Sequence, residues 1–291
     1  LISGEYVVLD GAKSLAVPTK YGQSLTIEPI DKNGLLWESF DEQNKLWYQG
    51  EFRIKTDLVE SLDANETSAR LVQILTAART LNPSFLATNK DYKITTRLDF
   101  PTNWGLGTSS TLINNISQWA NINAYQLLEK TFGGSGYDIA CAQHNNPITY
   151  QIRNNSPITC VINFNPVFKN HLYFVHLNKK QNSRDGIRHY KENKKNAESL
   201  FELINAITER MIDSNSLKDF QDLMTEHEAI ISKITNQTPI KDLLFQDFDG
   251  AIKSLGAWGG DFILVASLTN PVNYFKSKGY QTIIPYSEMN L

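Results

Sequence analysis

The sequence predicts an α+β fold, divided into two lobes or built as one large domain with a cleft. Three observations carry this. The chain has 291 residues, more than a single domain of ~100–200 residues usually holds. Its composition, 41% hydrophobic and 20% charged, supplies a substantial core and argues against disorder. Runs of strand and helix periodicity follow one another irregularly, not in the strict alternation of a parallel sheet.

The elements read as follows. Leu1 to Gly11 reads as a strand, a tight turn at Gly4, a second short strand and another turn. With no initiator Met and Leu1-Ile2 in mid-strand, the chain is expected to continue upstream. Residues 14–57 are β-rich: Ser24 to Glu28 alternates, and Leu35–Trp37 and Leu46–Tyr48 flank the polar turn Asp41–Asn44. Glu66 to Leu81 is helical, with Leu71, Ile74, Leu75 and Ala78 on one face, and Asn82-Pro83 ends it. Tyr92 to Leu98 alternates as a strand. A Gly-rich turn, Pro101 to Gly107, leads into a helix from about Ser109 to Glu129. Beyond Asn145-Asn146-Pro147 strands are expected at 158–164 and 171–177. Helices are expected at 185–213, 216–233 and 238–255, then the apolar strand Phe262–Leu268 and a last strand Tyr280–Ile284.

Composition excludes several classes. The net charge of −3, from 28 Lys and Arg against 31 Asp and Glu, gives no general attraction to nucleic acid. Two cysteines, Cys141 and Cys160, make neither a disulfide scaffold nor a four-thiolate zinc site. No apolar run approaches the ~18 residues that span a bilayer, and no signal peptide is visible. The cytoplasm is the default compartment, which leaves the sequons at Asn65, Asn154 and Asn236 as chance matches. His144, His171, His189 and His227 show no metal-ligand spacing and read as surface or core residues.

Three glycine clusters carry the chemistry. In Pro101-Thr102-Asn103-Trp104-Gly105-Leu106-Gly107-Thr108-Ser109-Ser110-Thr111, the glycines permit close backbone approach to a ligand. The start of the following helix offers N–H groups and a favourable dipole to an anion. The hydroxyls can donate to phosphate or ligate a divalent cation. This is a polyphosphate cradle without the Lys of a Walker-type loop; the competing reading is a Ser/Thr-capped helix after a Gly turn. In the second cluster, Gly133-Gly134-Ser135-Gly136, Asp138 follows within a small, apolar segment. It is either a helix cap or a carboxylate that orients or deprotonates an attacking hydroxyl. The third cluster, Gly256-Ala257-Trp258-Gly259-Gly260-Asp261, has more glycine than a helix C-cap needs, which suggests backbone packed against a ligand or another loop.

With all three in order, the chain resembles the GHMP kinase superfamily, in a mevalonate/phosphomevalonate kinase-like form. Ile2-Ser3-Gly4-Glu5-Tyr6-Val7-Val8 with Ala16-Val17-Pro18 looks like the first family motif. Pro101 to Ser110 looks like the ATP loop, with Thr108 in place of the first Ser. Gly256 to Asp261 looks like the third motif, with Trp258 replacing a Gly. Gly134 to Asp138 is similar to the segment holding the catalytic Asp, and its Gly-Tyr-Asp-Ile-Ala string looks like a distinct subgroup.

The resemblance implies two lobes. One, over 1–155, is like ribosomal protein S5 domain 2 and holds the ATP loop and catalytic Asp. The other, over 156–291, is ferredoxin-like, with ATP and acceptor between them. It implies Asp138 as catalytic residue, with Gly105, Leu106, Gly107, Thr108, Ser109 and Ser110 on ATP. Glu5, Ser135, Gly136, Lys180, Gly259 and Gly260 would face the acceptor. Mg²⁺ would be held by Ser109 and by an upstream carboxylate, for which Glu129 is the nearest candidate at a different spacing; its other reading is an exposed helix-end Glu. A Lys that often precedes the Gly-Glu pair is absent from Leu1 to Ser3, and Trp258 would crowd the acceptor side. The segment His176 to Arg184, with Lys179, Lys180 and Arg184, reads equally as an acceptor-anion contact and as a solvated basic turn.

The implied activity is ATP-dependent phosphorylation of mevalonate or 5-phosphomevalonate, in isoprenoid precursor synthesis. A diphosphomevalonate decarboxylase and a non-catalytic ligand sensor are the alternatives on the same scaffold. The implied partner is a small-molecule acceptor, without nucleic acid or membrane, and the resemblance leaves room for a homodimer.

Overall fold

The structure is a computed structural model that describes residues 1–31, 34–55, 58–87, 91–194 and 198–291. The first residues depart from the expected pair of strands. Gly4 and Tyr6 both take positive φ (85° and 63°), Val8 N–H donates to the Gly4 carbonyl at 3.0 Å, and Val7–Asp10 closes a 3₁₀ turn. Residues 2–8 are all buried. A coiled-up turn satisfies their backbone locally, where a strand would need a partner along its length.

β1 (Ser14–Ala16) follows, then β2 (Gln23–Ile30), β3 (Leu35–Phe40), β4 (Leu46–Ile54) and β5 (Val59–Ser61). Residues 32–33 and 56–57 of the expected β-rich stretch lie outside the described residues. Alternation drives β3 and β4: Leu35 and Trp37 on one, Tyr48 and Phe52 on the other, are buried while their neighbours are not. α1 (Glu66–Leu81) has the expected bounds. Asn65 caps it by accepting from Ser68 N–H, and Leu71, Ile74, Leu75 and Ala78 are buried.

After β6 (Asp91–Leu98), the helix expected at 109–129 is two helices, α2 (Thr108–Ala120) and α3 (Ala124–Thr131). Asn121 in the left-handed region (φ 52°) ends the first, and the Asn123 side chain caps the second. α4 (Tyr137–Ala142) precedes β7 (Ile148–Arg153), which the periodicity missed, and β8 (Ser156–Val161). Asn154 and Asn155, both at positive φ, form the two-residue hairpin turn that joins them.

β9 (Leu172–His176) leads to α5 (Ser183–Asn193) and α6 (Glu198–Asp213), two pieces of the helix expected at 185–213; residues 195–197 lie outside the described residues. α7 (Leu217–Thr235) comes next. The helix expected at 238–255 is corrected: α8 covers only Ile240–Leu244, and Ala251–Ser254 is a strand, β10. A Cβ on Gly250 (φ 150°) would lie 2.6 Å from the Ala266 carbonyl, so the chain turns there against the next strand. All four β10 residues are buried, and a short, wholly buried run has no period to separate strand from helix. β11 (Phe262–Ala266), α9 (Val272–Ser277), β12 (Ile283–Pro285) and α10 (Tyr286–Met289) complete the chain.

Contacts group the chain into two compact units: Leu1–Lys20, Asn103–Gly105 and His144–Leu291 form the first, Tyr21–Thr102 and Leu106–Gln143 the second. This grouping is not a single cut after residue 155. The N-terminal residues join the first unit because β1 pairs antiparallel with β7. The second unit has a five-stranded sheet, β2-β6-β3-β4-β5, with only β3 and β6 parallel among its pairs. Trp37, Phe52 and Ile94 of the sheet share a core with Ile74 of α1, Ile113 of α2, Leu127 of α3 and Ile139 of α4. The first unit holds the β1-β7-β8 sheet and a four-stranded antiparallel sheet, β10-β11-β9-β12. In chain order β9 is the first strand of that sheet and β12 the last, with helices after the first and third strands, a ferredoxin-like arrangement of helices on an antiparallel sheet. Val175, Ile252, Ile263, Phe245 and Phe275 pack its core.

Candidate active site

In the second unit the loop after β6 delivers the chain to the N-terminus of α2. Gly107 takes φ 73° and forms the N-cap, and no side chain caps the helix. The first-turn N–H groups and the dipole are therefore available to an anion. Ser109 is exposed there, and Leu106, Thr108 and Ser110 are half-buried. Thr111 serves the fold instead. Its hydroxyl donates to Gln23 Oε1 (3.0 Å), and Asn115 Nδ2 donates to the Gln23 carbonyl (2.8 Å), tying the start of α2 to β2.

Asp138 lies in the first turn of α4, two residues past Gly136 (φ 80°), which is the cap. A Cβ placed on Gly107 would stand 3.3 Å from Asp138 Oδ1. The carboxylate thus lies directly against the backbone that opens α2, and any side chain at position 107 would crowd it. Burial of the carboxyl raises its pKa above the usual 3.8, opposed by a hydrogen bond from Tyr137. Asp138 is half-buried, and a carboxyl with a raised pKa beside an uncapped helix N-terminus has the chemistry to act as a base next to an anion. Ser135 and Gly136 are on the turn that carries it, half-buried and buried. Glu129 is exposed in the last turn of α3.

The third glycine cluster, in the first unit, is the β10–β11 connection. Gly260 has no room for a side chain: its Cβ would lie 2.7 Å from the Lys179 carbonyl and 2.9 Å from Gln181 Cβ. Asp261 takes φ 53°. Its N–H donates to the Lys179 carbonyl (2.7 Å), its carbonyl accepts from Leu177 N–H (2.8 Å), and its Oδ1 accepts from Gln181 N–H (3.1 Å). The basic segment after β9 and the third cluster are therefore one interlocked structure, with Lys180 and Gly259 exposed on it.

Within the same unit, Asp261 also fills the space where a side chain of Gly105 (φ 67°) would go. The Asn103 carbonyl meets His176 Nε2 at 3.2 Å, and the Trp104 ring stands edge-on to Phe262 at 5.4 Å. The sequence did not single out Asp261, His176 or Trp104 as anchors of this stretch. Burial raises the Asp261 pKa, opposed by its bond from Gln181 and by His176 and Lys180. Trp258 does not stand open beside the loop: it is 3% exposed, and its backbone N–H donates to Tyr6 Oη at 2.9 Å.

Glu5 is enclosed as well. Its side chain is wholly buried and ion-paired with Lys253, while His227 Nε2 lies 3.5 Å from Oε2 and accepts from Gly4 N–H at 2.9 Å. Glu228 accepts from Ser254 N–H (3.1 Å) and Oγ (2.7 Å). Burial, then the nearby Lys253 charge, hold His227 well below its usual pKa, so it is neutral; burial pushes Glu228 up to about 7. This network passed unrecognised in the sequence. The available signal was His227-Glu228 on the α7 face that also carries Leu223, Met224, Ile230 and Ile231.

No protein-family profile matches the chain, and no curated protein matches it by sequence. Solved structures do match. The chain is similar to mevalonate kinase from Methanococcus jannaschii, at 17% identity and TM-score 0.64 over 96% of this chain and 89% of that one. It is similar to phosphomevalonate kinase from Streptococcus pneumoniae, solved with phosphomevalonate and AMPPNP, at 14% identity and TM-score 0.63 over 100% and 95%. Galactokinase from Lactococcus lactis, solved with galactose, matches at 13% identity and TM-score 0.66 over 100% and 90%. These similarities show that the chain has the GHMP kinase fold.

Proposed function

We propose that this protein is an ATP-dependent phosphotransferase that moves the γ-phosphoryl group of ATP to a small acceptor, mevalonate or 5-phosphomevalonate. The observation that carries the reading is the Asp138 carboxylate, packed against Gly107 at the uncapped start of α2. An anion cradle beside a carboxyl of raised pKa is what phosphoryl transfer to a hydroxyl or phosphate requires. The GHMP kinase fold supports the same reaction class.

The donor set fits a nucleotide tail, since α2 offers first-turn backbone N–H groups without a competing side-chain cap. Among the described residues no group of three or more His, Cys, Asp or Glu is placed to hold a metal; a Mg²⁺ ion would arrive on the nucleotide's phosphate oxygens. Ser109 would hold it with its hydroxyl, and Glu129 is the proposed carboxylate. When bound, Mg·ATP supplies the phosphoryl group and neutralises charge on it. Leu106 to Ser110 orient the phosphates. Asp138 orients the acceptor and takes its proton at a carboxylate oxygen. Lys180, with Gly259 and Gly260 beside it, is proposed to meet the acceptor's own anionic group, and Ser135 and Gly136 are proposed as further acceptor contacts. Glu5, wholly buried and ion-paired with Lys253, is proposed to act on the acceptor only through the placing of the first motif.

The test is ADP release measured over mevalonate, 5-phosphomevalonate, homoserine and simple sugars, repeated with Asp138→Asn. Turnover with one of the first two, falling ~10²-fold or more in the variant, is the expected result. A variant with near-full kcat, or turnover only with a sugar, overturns the assignment.

A further inference from the structure

We propose that Tyr6 is a positioning residue for the acceptor, which holds three segments of the first unit in one arrangement: the first motif, the β10–β11 connection and helix α5. This rests on the reading above that Lys180, Gly259 and Gly260 face the acceptor.

The backbone at Tyr6 is strained. It takes φ 63° and ψ −51°, and Val7 N–H donates across it to the Glu5 carbonyl at 2.7 Å. That is a γ-turn of the rare, positive-φ form. A bulky side chain seldom adopts such a conformation, and it persists only where the surroundings over-determine it. Here they do. On the preceding side, Glu5 is ion-paired with buried Lys253, and Gly4 N–H donates to His227 Nε2. On the following side, Asp10 accepts from Tyr190 Oη and pairs with Lys194 Nζ at 2.7 Å, which ties the end of the 3₁₀ turn to α5.

The Tyr6 side chain, 7% exposed, meets two elements far away in sequence. Its Oη accepts from the N–H of Trp258, in the connection that carries Gly259 and Gly260, at 2.9 Å. Its ring stacks on Tyr190 of α5, with 5.7 Å between centroids and 18° between planes. Gly186, also in α5, has no room for a side chain because of it: a Cβ there would stand 2.7 Å from Tyr6 Oη and 3.2 Å from Cε1. α5 is the helix that the basic segment with Lys180 leads into. Asp261 already locks that segment to the β10–β11 connection. Tyr6 adds the third member, fixing both against the first motif through one hydroxyl and one ring.

Two variants test this from opposite sides. Tyr6→Phe keeps the ring and its stack and removes only the acceptor of Trp258 N–H. Gly186→Ala keeps Tyr6 and favours the helix, but its methyl displaces the hydroxyl. Hydrogen exchange read by mass spectrometry should be faster than in the parent over both 177–186 and 256–261, and unchanged in α1 of the other unit. Exchange unaltered in either of the first two segments overturns the proposal. With an acceptor that the parent turns over, KM for that acceptor should rise about tenfold in each variant. The kcat and the KM for ATP should stay within about twofold of the parent. A tyrosine that only stabilises the fold lowers the melting temperature without this split, so an unchanged acceptor KM also overturns the proposal. A parent inert toward every acceptor overturns the kinase reading instead, and the exchange data then still decide whether Tyr6 couples the two segments.

Discussion

Replacing Glu228 by Gln should flatten the pH dependence of unfolding. Glu228 is 3% exposed and keeps two roles in the fold, as acceptor from Ser254 N–H and from Ser254 Oγ. Burial moves its pKa from the usual 4.5 to about 7. Between those values the folded chain holds a proton that the unfolded chain has released. Stability from this group is therefore complete below about pH 4.5, falls as pH rises, and is gone above about pH 7. At about 1.4 kcal/mol per pKa unit, a displacement from 4.5 to about 7 amounts to roughly 3 kcal/mol. Burial also raises the pKa of Glu5, against the pull of Lys253, which adds a slope of the same sign that the substitution leaves. Gln retains a carbonyl acceptor of the same shape for Ser254 and has no proton to lose. Urea unfolding followed by tryptophan fluorescence from about pH 5 to about pH 8 reads the difference. The variant should lose roughly 2.5 kcal/mol less across that interval than the parent. Equal slopes, or a variant less stable than the parent at the alkaline end, would refute the reasoning.

Lys253→Met leaves Glu5 and Glu228 buried without their cation and should destabilise the chain by about 3–5 kcal/mol, read as a drop in urea midpoint. Gly107→Ala forces a side chain into the left-handed region and to 3.3 Å from Asp138 Oδ1; about 1–2 kcal/mol of strain should accompany a fall in kcat, measured side by side. Ser109→Ala should leave the melting temperature unchanged and raise the Mg²⁺ concentration needed for half-maximal turnover. An unchanged Mg²⁺ dependence removes Ser109 from the metal site.

The fold was legible where local chemistry sets the outcome. Helix α1 follows from its apolar face and Asn82-Pro83, which are neighbours in sequence; the Asn65 cap became visible only in the structure. The turn at Gly105 and Gly107 follows from residues that tolerate positive φ. Legibility failed where the pattern has two solutions. Ala251 to Ser254 fits a helix face as well as a buried strand, and only pairing with β11 chooses between them. The break after Ala120 rests on Asn121 in the left-handed region, a conformation that Asn permits without requiring.

By itself the sequence determined the α+β class, the three glycine-rich stretches, and a carboxylate following one of them. What only tertiary structure decided is which groups meet. Gly107 against Asp138, Gly260 against Lys179, and Glu5 in a closed pair with Lys253, 248 residues away, are contacts between segments that carry no mark of one another. The reason is physical: local propensity acts through bonds and nearest turns, whereas desolvation and charge pairing act through space, and become defined only when the chain has closed around them.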